Sequence, residues 1–479
     1  MVRPGIRKTA ASLAVASALA VGYSQAHAAA FALQEQNASG LGNSFAGQAA
    51  AAENASTIYF NPAGMSFLPA GPQFSLGGDY IKPSTKFSNG GSTAAGFPTS
   101  PATQRPLGSN GGEAGNPAFV PNVYFAMDVA PNLKAGIGIS VPFGLATEYD
   151  SDWIGRFQAI KSEIQAVNIN PSVSWKMNDR TALGFGLNYQ RIDAELTNAV
   201  NTPGAVFGGV FQTVLGLTGN QVTAGTQANT AASAVAATGL TEGNVKVTGD
   251  DTAWGWNIGA MFQLAPETRL GLSYRSQMKY KVEGDVTFSN IPSAATFNAI
   301  DPTGALAGRF ANGKVTLDLK LPDSFSAALS HKLDSKWTLL ADVTWTGWSS
   351  IQQLRIVRDD GTELSNTPEN FKDTWRVGVG GVYRYNDAWS IKTGVAYDQS
   401  PVNNTDRTAR LPDNDRYWIS IGAQYRLSKT ATLDYGYAHL FVKNTSINQN
   451  AGNANVNGQL VGTYKASIDI IGIQYSQSF

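Results

Sequence analysis

Few residues of this sequence are of the types that carry out chemistry. Three histidines are present (His27, His331 and His439), and there is no cysteine, which excludes thiol chemistry and a disulfide framework. A serine hydrolase would place its serine in a G-x-S-x-G elbow, but GLGNSFAG at residues 40–47 has the wrong spacing. We therefore expect no catalytic residues and no enzyme activity.

No cofactor, metal or nucleic acid is expected as a partner. Three histidines do not make a convincing metal cluster, and Walker and dinucleotide-binding fingerprints are absent. The 35 basic and 35 acidic residues balance, which gives no support to nucleic-acid binding. Charged residues make up only 15% of the chain, against about 25% in an average soluble domain. The surface is therefore expected to be short of charge.

The first 28 residues have the organisation of an export signal. Basic residues up to Lys8 precede an apolar run from Thr9 to Val21, and an A-x-A cleavage site follows at residues 26–28. A membrane anchor is the poorer interpretation, because the run is too short to cross about 30 Å of hydrocarbon. We predict a cleaved signal peptide over 1–28, whose loss leaves 32 basic and 35 acidic residues.

Apolar and polar residues alternate along much of the chain. In KWTLLADVTWTGW, Trp337, Leu339, Val343 and Trp345 share one face. Such alternation predicts strands with one apolar face. Fourteen runs of this kind lie near 73–81, 117–130, 133–142, 163–177, 181–194, 252–264, 269–286, 314–333, 337–356, 371–385, 388–398, 416–427, 431–444 and 464–479.

The connections between these runs alternate in length. Tight turns are predicted at 131–132, 178–180, 265–268, 334–336, 386–387 and 428–430, and long links at 82–116, 143–162, 195–251, 287–313, 357–370, 399–415 and 445–463. A β-sandwich would also alternate, but it has no reason to sort its loops by length. Three features indicate an all-β fold: loops sorted by length, aromatic residues at the ends of the apolar stripes, and an even number of strands. We predict a 14-stranded antiparallel transmembrane barrel over 73–479.

Residues 29–72 precede the first strand and do not alternate. The segment could be an unstructured periplasmic tail, but it carries too many apolar side chains for a solvated chain. We therefore expect it to fold into the barrel lumen as a plug. Within YFNPAGM, Asn61-Pro62 would then mark a bend of that plug, because both residue types favour turns. The alternative is a simple turn leading into the first strand.

Several stretches resemble the FadL-type outer-membrane transporters of long-chain fatty acids and other hydrophobic compounds. They are AAFALQEQNASGLGNSFAG with YFNPAGM, PFGLATEYD, LPDSFSAALSHKL with WTGWSSIQQLR, FKDTWRVGVGGVYRY with WSIKTGVAYDQSPV, and LPDNDRYWISIGAQYRLS. The resemblance covers nearly all of the mature chain. It implies that residues 29–72 are the family's amino-terminal hatch, with Asn61, Pro62 and Ala63 as its gating motif.

The resemblance also implies a sideways exit for the ligand at an inward kink of the third strand. The matching stretch here is ISVPFGLATEYD, with Pro142 and Gly144. Proline cannot donate to a strand ladder and glycine packs no side chain, so pairing could lapse there. An ordinary strand-to-loop exit is the alternative.

The long link at 195–251 contains an apolar stripe at helical spacing, formed by Val206, Phe207, Val210, Phe211, Val214 and Leu215. An apolar face on an external loop often marks a binding site. We expect it to form an outer capture groove together with Phe297, Leu306 and Phe310 of another loop. The alternative is that these side chains only pack the loops together.

A fatty acid inside the barrel would need an apolar tunnel and a cation for its carboxylate. Arg355 in SIQQLRI matches a position where the family can carry a basic residue, and Arg191 is a second candidate. Either arginine could instead pair with a lumenal Asp or Glu. Another basic contact of the family falls near Leu196, which is apolar. Phe31 matches a hatch residue that can reach the pocket.

These expectations describe a monomeric outer-membrane channel that moves long-chain fatty acids by passive diffusion, without a nucleotide. An aromatic-hydrocarbon channel of the same family is the main alternative, and it would need no cation. A general porin should lack the plug and conduct ions freely. A lipid hydrolase would depend on His331 or His439, the two histidines left after export.

Overall fold

The computed structural model is a closed antiparallel β-barrel. It describes residues 30–96, 107–301, 305–450 and 454–479, and the predicted signal peptide lies outside these ranges. Fourteen strands run through the described residues: β1 Gln73–Asn89, β2 Ala118–Ala130, β3 Leu133–Glu148, β4 Lys161–Asn178, β5 Thr181–Asn201, β6 Glu242–Ala265, β7 Thr268–Arg275 with Met278–Ser289, β8 Gly313–Leu321 with Ser324–Lys332, β9 Trp337–Thr346 with Gln353–Arg358, β10 Glu363–Pro368 with Thr374–Arg384, β11 Trp389–Asp398, β12 Arg416–Arg426, β13 Ala431–Val442 with Thr445–Gln449, and β14 Leu460–Ser478.

Each strand pairs with its sequence neighbours, and the first strand closes the sheet on the last. β1 and β14 pair in an unbroken register from Gln73 opposite Ser478 to Asn89 opposite Gly462. Closure pairs the two terminal strands of the sheet, so neither leaves an open edge in the lipid, where an unpaired peptide group would cost several kcal/mol. Among the described helices, none combines the length and apolarity needed to cross a membrane. The predicted fold class and strand number are confirmed.

The outer wall of the barrel carries the apolar stripes. Trp254, Ile258, Val379 and Ile421 are between 46% and 67% exposed, although all are apolar. On β6, Gly255 and Asn257 alternate with the two outward residues and are turned inward, Asn257 being 1% exposed. An apolar outer band with aromatic residues near its ends is typical of a membrane-spanning barrel. The predicted alternation is confirmed.

The tight turns are confirmed as well. In the turn between β10 and β11, the Asn386 side chain accepts hydrogen bonds from the backbone N–H groups of Ala388 and Trp389 at 2.9 and 2.8 Å. Asn and Asp stabilise turns in this way because their short side chains reach the backbone two or three residues on. All of these turns lie at the barrel end that holds both termini of the sheet.

One predicted long link, 357–370, is wrong. The second segment of β9 and the first segment of β10 pair from Gln353 opposite Pro368 to Val357 opposite Glu363, so only four residues connect them. Most of the first segment lies within the predicted run 337–356, whereas the second, ELSNTP, has no apolar stripe because Leu364 is its one large apolar side chain. Beyond the membrane, the outer face of the barrel meets water instead of lipid. The apolar residues of a strand therefore face inward there, whereas they face outward within the membrane.

Short helices occupy the amino-terminal segment and the loops at the opposite end. The amino-terminal segment contains α1 Ala38–Leu41, α2 Gln48–Ala51, α3 Thr57–Phe60 and the 3-10 helix Pro62–Phe67. The loops contain α4 Thr202–Thr218, α5 Gln221–Ala237, α6 Ala294–Ile300, α7 Ala305–Arg309, the 3-10 helix Trp348–Ser350 and α8 Ala454–Asn457.

The amino-terminal segment, residues 30–72, lies against the inner wall of the barrel. Leu41, Ile58 and Met65 of this segment are fully buried. Two inner-wall glycines allow the close approach, because a Cβ at Gly184 would overlap the Ala63 backbone and one at Gly259 would overlap Asn61. The segment therefore fills part of the lumen.

Cationic side chains of the barrel donate hydrogen bonds to main-chain carbonyls of this segment. Five such pairs occur among the described residues: Lys134 with Leu68 and Pro69, Arg269 with Ala50 and Ala51, Arg275 with Tyr59, Arg376 with Ser44, and Lys392 with Ser39. The donors come from β3, β7, β10 and β11, on several sides of the lumen. Charge-assisted bonds of this kind are stronger than neutral ones, so they hold the segment in place.

Candidate ligand-binding site

A groove of about 1150 Å³ lies between the helices of two external loops. It is lined by Val210, Val214 and Leu217 of α4 and by Leu306 near α7. We call it the outer groove. Its volume is slightly above the roughly 300–1000 Å³ typical of ligand pockets. Two residues of the predicted capture stripe, Val210 and Val214, therefore border an open apolar surface.

The other residues of that stripe have different surroundings. Val206 is fully buried in one cluster with Phe297 and Phe310, which joins the two loops. Phe207 and Phe211 stack on each other with ring centroids 5.9 Å apart, and Leu215 is half-buried. Part of the stripe thus packs the loops together, as the alternative interpretation expected. Its role in ligand capture stays a prediction.

A second cavity of about 580 Å³ lies inside the barrel under these loops. We call it the loop cavity. One wall consists of inward-facing side chains from β5, β6, β9 and β10. These wall residues are apolar: Leu196, Val245, Val247, Leu354, Ile356 and Leu364. The apolar Leu196, which departs from the basic residue expected of the family, belongs to this wall.

Arginines occupy another side of the loop cavity. Arg309, Arg407 and Arg410 line it, together with a single carboxylate, Asp406. In the described parts of the chain, no carboxylate oxygen lies within the ion-pair limit of 4.0 Å from these three guanidinium groups. The cavity therefore combines an apolar wall with positive charge that the protein does not neutralise by direct pairing.

An apolar layer separates the loop cavity from a smaller space near the amino-terminal segment. Phe31 packs edge-on against Trp348 at 4.9 Å and lies 6.0 Å from Phe143, between ring centroids. Leu354 links this layer to the loop cavity, since it contacts both. On the other side, Phe143 lines a cavity of about 100 Å³. We call this layer the constriction; Phe31 lies within it, between the two cavities.

β3 is irregular at the predicted kink. Its pairing with β4 shifts by one residue between Ser140 and Phe143, and its pairing with β2 stops at Ile139, opposite Val123. A bulge of this kind redirects side chains and interrupts a ladder. Beyond it, β3 and the beginning of β2 are no longer paired, which leaves a lateral gap in the barrel wall at Pro142 and Gly144.

The amino-terminal segment covers the inner side of this gap. The Leu33 N–H donates to the Pro142 carbonyl at 2.9 Å, and the Gly144 N–H donates to the Phe31 carbonyl at 2.8 Å. The Gln36 side chain adds a bond to the carbonyl of Val141 at 2.9 Å. Residues 31–36 would therefore have to move before a molecule could pass through the gap.

Asn61 fastens the centre of the segment to the barrel. Its side-chain amide nitrogen lies 2.8 Å from the Ala49 carbonyl, 3.1 Å from that of Ala260 and 3.3 Å from that of Leu272. Its oxygen accepts from the Ala63 N–H, and Pro62 begins the 3-10 helix. The Asn-Pro-Ala motif is thus a bend that is anchored to the barrel. Its gating role stays a prediction.

Arg355 does not face the lumen. It lies between the inward-facing Leu354 and Ile356, its side chain is 48% exposed, and its Nε lies 2.8 Å from Glu363 Oε2. We therefore correct its assignment as the internal carboxylate partner. The assignment rested on the family likeness, whereas the apolar stripe of β9 faces inward here and turns Arg355 outward.

Arg191 also faces outward. It shares its side of β5 with the lipid-facing Phe185 and Leu187, and it pairs with Asp193 at 2.8 Å and with Asp250 at 3.2 Å. Strand parity alone would have given this orientation, since residues two apart share a face. The arginines of the loop cavity, by contrast, lie in irregular loops, where no periodic signal indicates which way a side chain points.

The sequence matches the family model described as outer membrane protein transport protein (OMPP1/FadL/TodX) over residues 19–479. The chain belongs to this family. It is 30% identical over 444 residues to the long-chain fatty acid transport protein of Escherichia coli K12, covering 92% of this chain and 94% of that protein. It is 31% identical over 465 residues to the 47 kDa outer membrane protein of Pasteurella multocida, covering 97% of both.

Solved structures of FadL-type proteins have the same fold. A Pseudomonas aeruginosa FadL homologue superposes with a TM-score of 0.79 at 24% identity, covering 94% of this chain and 100% of the other. The Pseudomonas putida toluene transporter TodX gives 0.64 at 17% identity, with coverages of 94% and 100%. This protein is accordingly an outer-membrane transport protein of the FadL family.

Proposed function

We propose that this protein takes up long-chain fatty acids across the outer membrane by passive diffusion. The loop cavity carries the proposal, because an apolar wall that includes Val247, Leu354 and Ile356 shares one space with arginines that no carboxylate pairs directly. Relatives about 30% identical to this chain over nine-tenths of its length are named long-chain fatty acid transport proteins, which supports the same ligand class. A neutral aromatic hydrocarbon would make no use of the arginines.

The energetics suit a long alkyl tail. Burying a methylene contributes about 0.8 kcal/mol, so a long chain supplies on the order of 10 kcal/mol before ordering costs are subtracted. The carboxylate adds a charge-assisted hydrogen bond, worth roughly 1.5–3 kcal/mol. The tail therefore supplies most of the affinity and the carboxylate supplies orientation.

The route follows the order of the cavities. The ligand is captured in the outer groove, enters the loop cavity and stops at the constriction beside Phe31. Residues 29–72 then act as a hatch, with Asn61, Pro62 and Ala63 as its gating bend. Movement of residues 31–36 opens the lateral gap at Pro142 and Gly144, through which the ligand leaves sideways.

The protein works as a monomer, with residues 1–28 removed on export and residues 73–479 forming the barrel. Transport needs no nucleotide, no cofactor and no catalytic residue. Neither His331 nor His439 is placed on the route.

The test uses an outer-membrane uptake-deficient strain that expresses this protein. We expect labelled oleate to enter cells, and unlabelled oleate to compete for entry while toluene does not. Toluene uptake that exceeds oleate uptake would assign the protein to aromatic hydrocarbons instead. Free passage of small ions through the purified protein would indicate a general porin, and oleoyl-ester turnover lost on changing His331 would indicate a hydrolase.

A further inference from the structure

Arg410 is held in the loop cavity by neutral acceptors. Its Nη1 donates to Ser162 Oγ at 3.0 Å, and its Nη2 donates to Asn198 Oδ1 at 2.9 Å. The carbonyl oxygens of Lys161 and Thr197 complete the contacts of Nη1. The guanidinium is thereby fixed to β4 and β5, although no carboxylate of the described residues lies at ion-pair distance from it.

Part of this guanidinium remains available. Its Nε and the second hydrogen of Nη2 have no partner among the residues that the structure describes. Burial lowers the pKa of Arg410 to about 10, so the group still carries its proton at neutral pH. A planar guanidinium with free, adjacent N–H groups matches the two oxygens of a carboxylate.

Arg407, its neighbour in the same loop, is engaged through Nε and Nη1, so it lacks the free Nε edge that Arg410 presents. It is 2% exposed, and it donates to the carbonyls of Asp413 and Ser446 and to the side chain of Asn404. These bonds direct the Arg407 side chain toward the loop, where they stabilise the backbone that carries Arg410. The two arginines therefore have different roles in spite of their proximity.

Arg309 connects the two cavities. It borders the outer groove and the loop cavity, and so does Leu364. Its guanidinium has no ion-pair partner in the described ranges. A carboxylate that approaches along the outer groove meets this cation before it reaches Arg410, while Leu364 offers an apolar surface to the tail.

We infer that Arg410 is the carboxylate anchor of the loop cavity and that Arg309 passes the carboxylate of an incoming fatty acid to it. This inference rests on the proposed function and deepens it, because it limits the preferred ligands to apolar molecules with one terminal anionic group. The apolar wall takes the tail, and the fixed guanidinium sets which end of the ligand points toward the loops.

The test compares an acid with its neutral ester. Binding of oleate and of methyl oleate to the purified full-length protein in detergent is measured by displacement of a fluorescent fatty acid. The variants are Arg410→Met, Arg410→Lys and Arg309→Met. Arg355→Met is the matched control, because Arg355 is an arginine of the same region that faces outward. Heat-modifiable migration in gels reports that each barrel is folded.

We expect Arg410→Met to weaken oleate binding at least about tenfold, as loss of a charge-assisted bond implies, and to change methyl oleate binding less than about twofold. Arg410→Lys should restore part of the loss. Arg309→Met should slow oleate association more than it changes the affinity, and Arg355→Met should behave as the parent. Equal losses for acid and ester, or an oleate affinity that survives Arg410→Met in a folded barrel, would overturn the anchor while leaving fatty-acid uptake intact. A parent protein that binds neither ligand would instead contradict the proposed function.

Discussion

The ammonium group of Lys392, on the barrel wall, donates a hydrogen bond of 2.8 Å to the main-chain carbonyl of Ser39 in the amino-terminal segment. The same group lies 2.8 Å from Glu53 and 3.1 Å from Asp434, and its side chain is only 2% exposed. One buried cation thus joins two residues of this segment, the proposed hatch, to a carboxylate of β13. The segment is held by charge as well as by packing.

Replacing Lys392 with Met should loosen the hatch. The change leaves Asp434, which is 1% exposed, as a buried carboxylate without its cation, at a cost of about 3–5 kcal/mol. We expect a lower thermal unfolding temperature and a higher ion conductance of the protein in planar bilayers. Lys443→Met, at an exposed position, serves as the control. An unchanged conductance in a folded Lys392→Met barrel would show that this contact does not retain the hatch.

Changing Asn61 to Asp should uncouple the bend of the hatch from the barrel. The carboxylate keeps the acceptor for the Ala63 N–H but loses the donor that reaches the carbonyls of Ala260 and Leu272. We expect oleate uptake to fall several-fold while the barrel still assembles, as judged by heat-modifiable migration. Asn132→Ala, in an exposed turn, should leave uptake unchanged. Normal uptake by the Asn61 variant would argue against a gating role for the motif.

Deleting Pro142 should straighten β3. The register with β4 shifts by a single residue between Ser140 and Phe143, so removing one residue restores regular pairing and allows the strand to continue along β2. We expect the lateral gap to close and oleate uptake to be lost, while oleate still binds to the purified protein. Deletion of Gly239, in the exposed loop between α5 and β6, provides a control for shortening the chain. Uptake that persists in the Pro142 deletion would mean that ligand leaves by another route.

The affinity for a fatty acid should fall as the pH rises through about 8. Burial raises the pKa of Glu369 to about 8, while the charge of Arg410 opposes that shift and the charge of Asp406 adds to it. Below this pH the Glu369 carboxyl is neutral. Above this pH the ionised carboxylate attracts the guanidinium of Arg410 and repels the carboxylate of a ligand. If the ligand raises the pKa of Glu369 by about one unit, binding weakens about fivefold between pH 7 and pH 9.

Titration of oleate binding between pH 6 and pH 9 checks this expectation. Glu369→Gln should remove the dependence, since the amide does not ionise, and methyl oleate should show none in either protein. The sign follows from the protonated form being the one that favours the bound anion. A parent protein whose oleate affinity is constant over this range would exclude Glu369 as a modulator of the arginine.

Strand parity made most of the barrel predictable, and it also explains where prediction failed. Within the membrane, Trp254 and Val379 face lipid, so an apolar stripe marks the outer side. On the second segment of β9 the stripe formed by Leu354 and Ile356 marks the inner side instead. The periodicity is the same in both regions. The wall is surrounded by lipid in one region and by water in the other, and the sequence alone does not indicate where the lipid ends.

The candidate site was harder to predict than the fold. The outer stripe through Val210 and Val214 has a helical period and was found, whereas Arg410 lies in a loop whose conformation depends on contacts with residues more than 200 positions away. Its orientation is set by Ser162 and Asn198, and no local pattern encodes such pairings. Arg355, by contrast, is predicted as the carboxylate partner because of the family likeness. Its neighbours on the strand face inward, and adjacent strand residues face opposite sides, so its side chain points outward.

The β9–β10 hairpin, which the sequence pattern concealed, extends the barrel wall beyond the membrane beside the loop cavity. Its outward side carries the Arg355–Glu363 pair, and its inward side carries Leu354 and Leu364. An apolar molecule that approaches this cavity from the side therefore meets charged groups, whereas one that arrives from above meets the apolar outer groove. The rate of import should accordingly follow the concentration of dissolved monomers rather than the amount of cargo held in the bilayer.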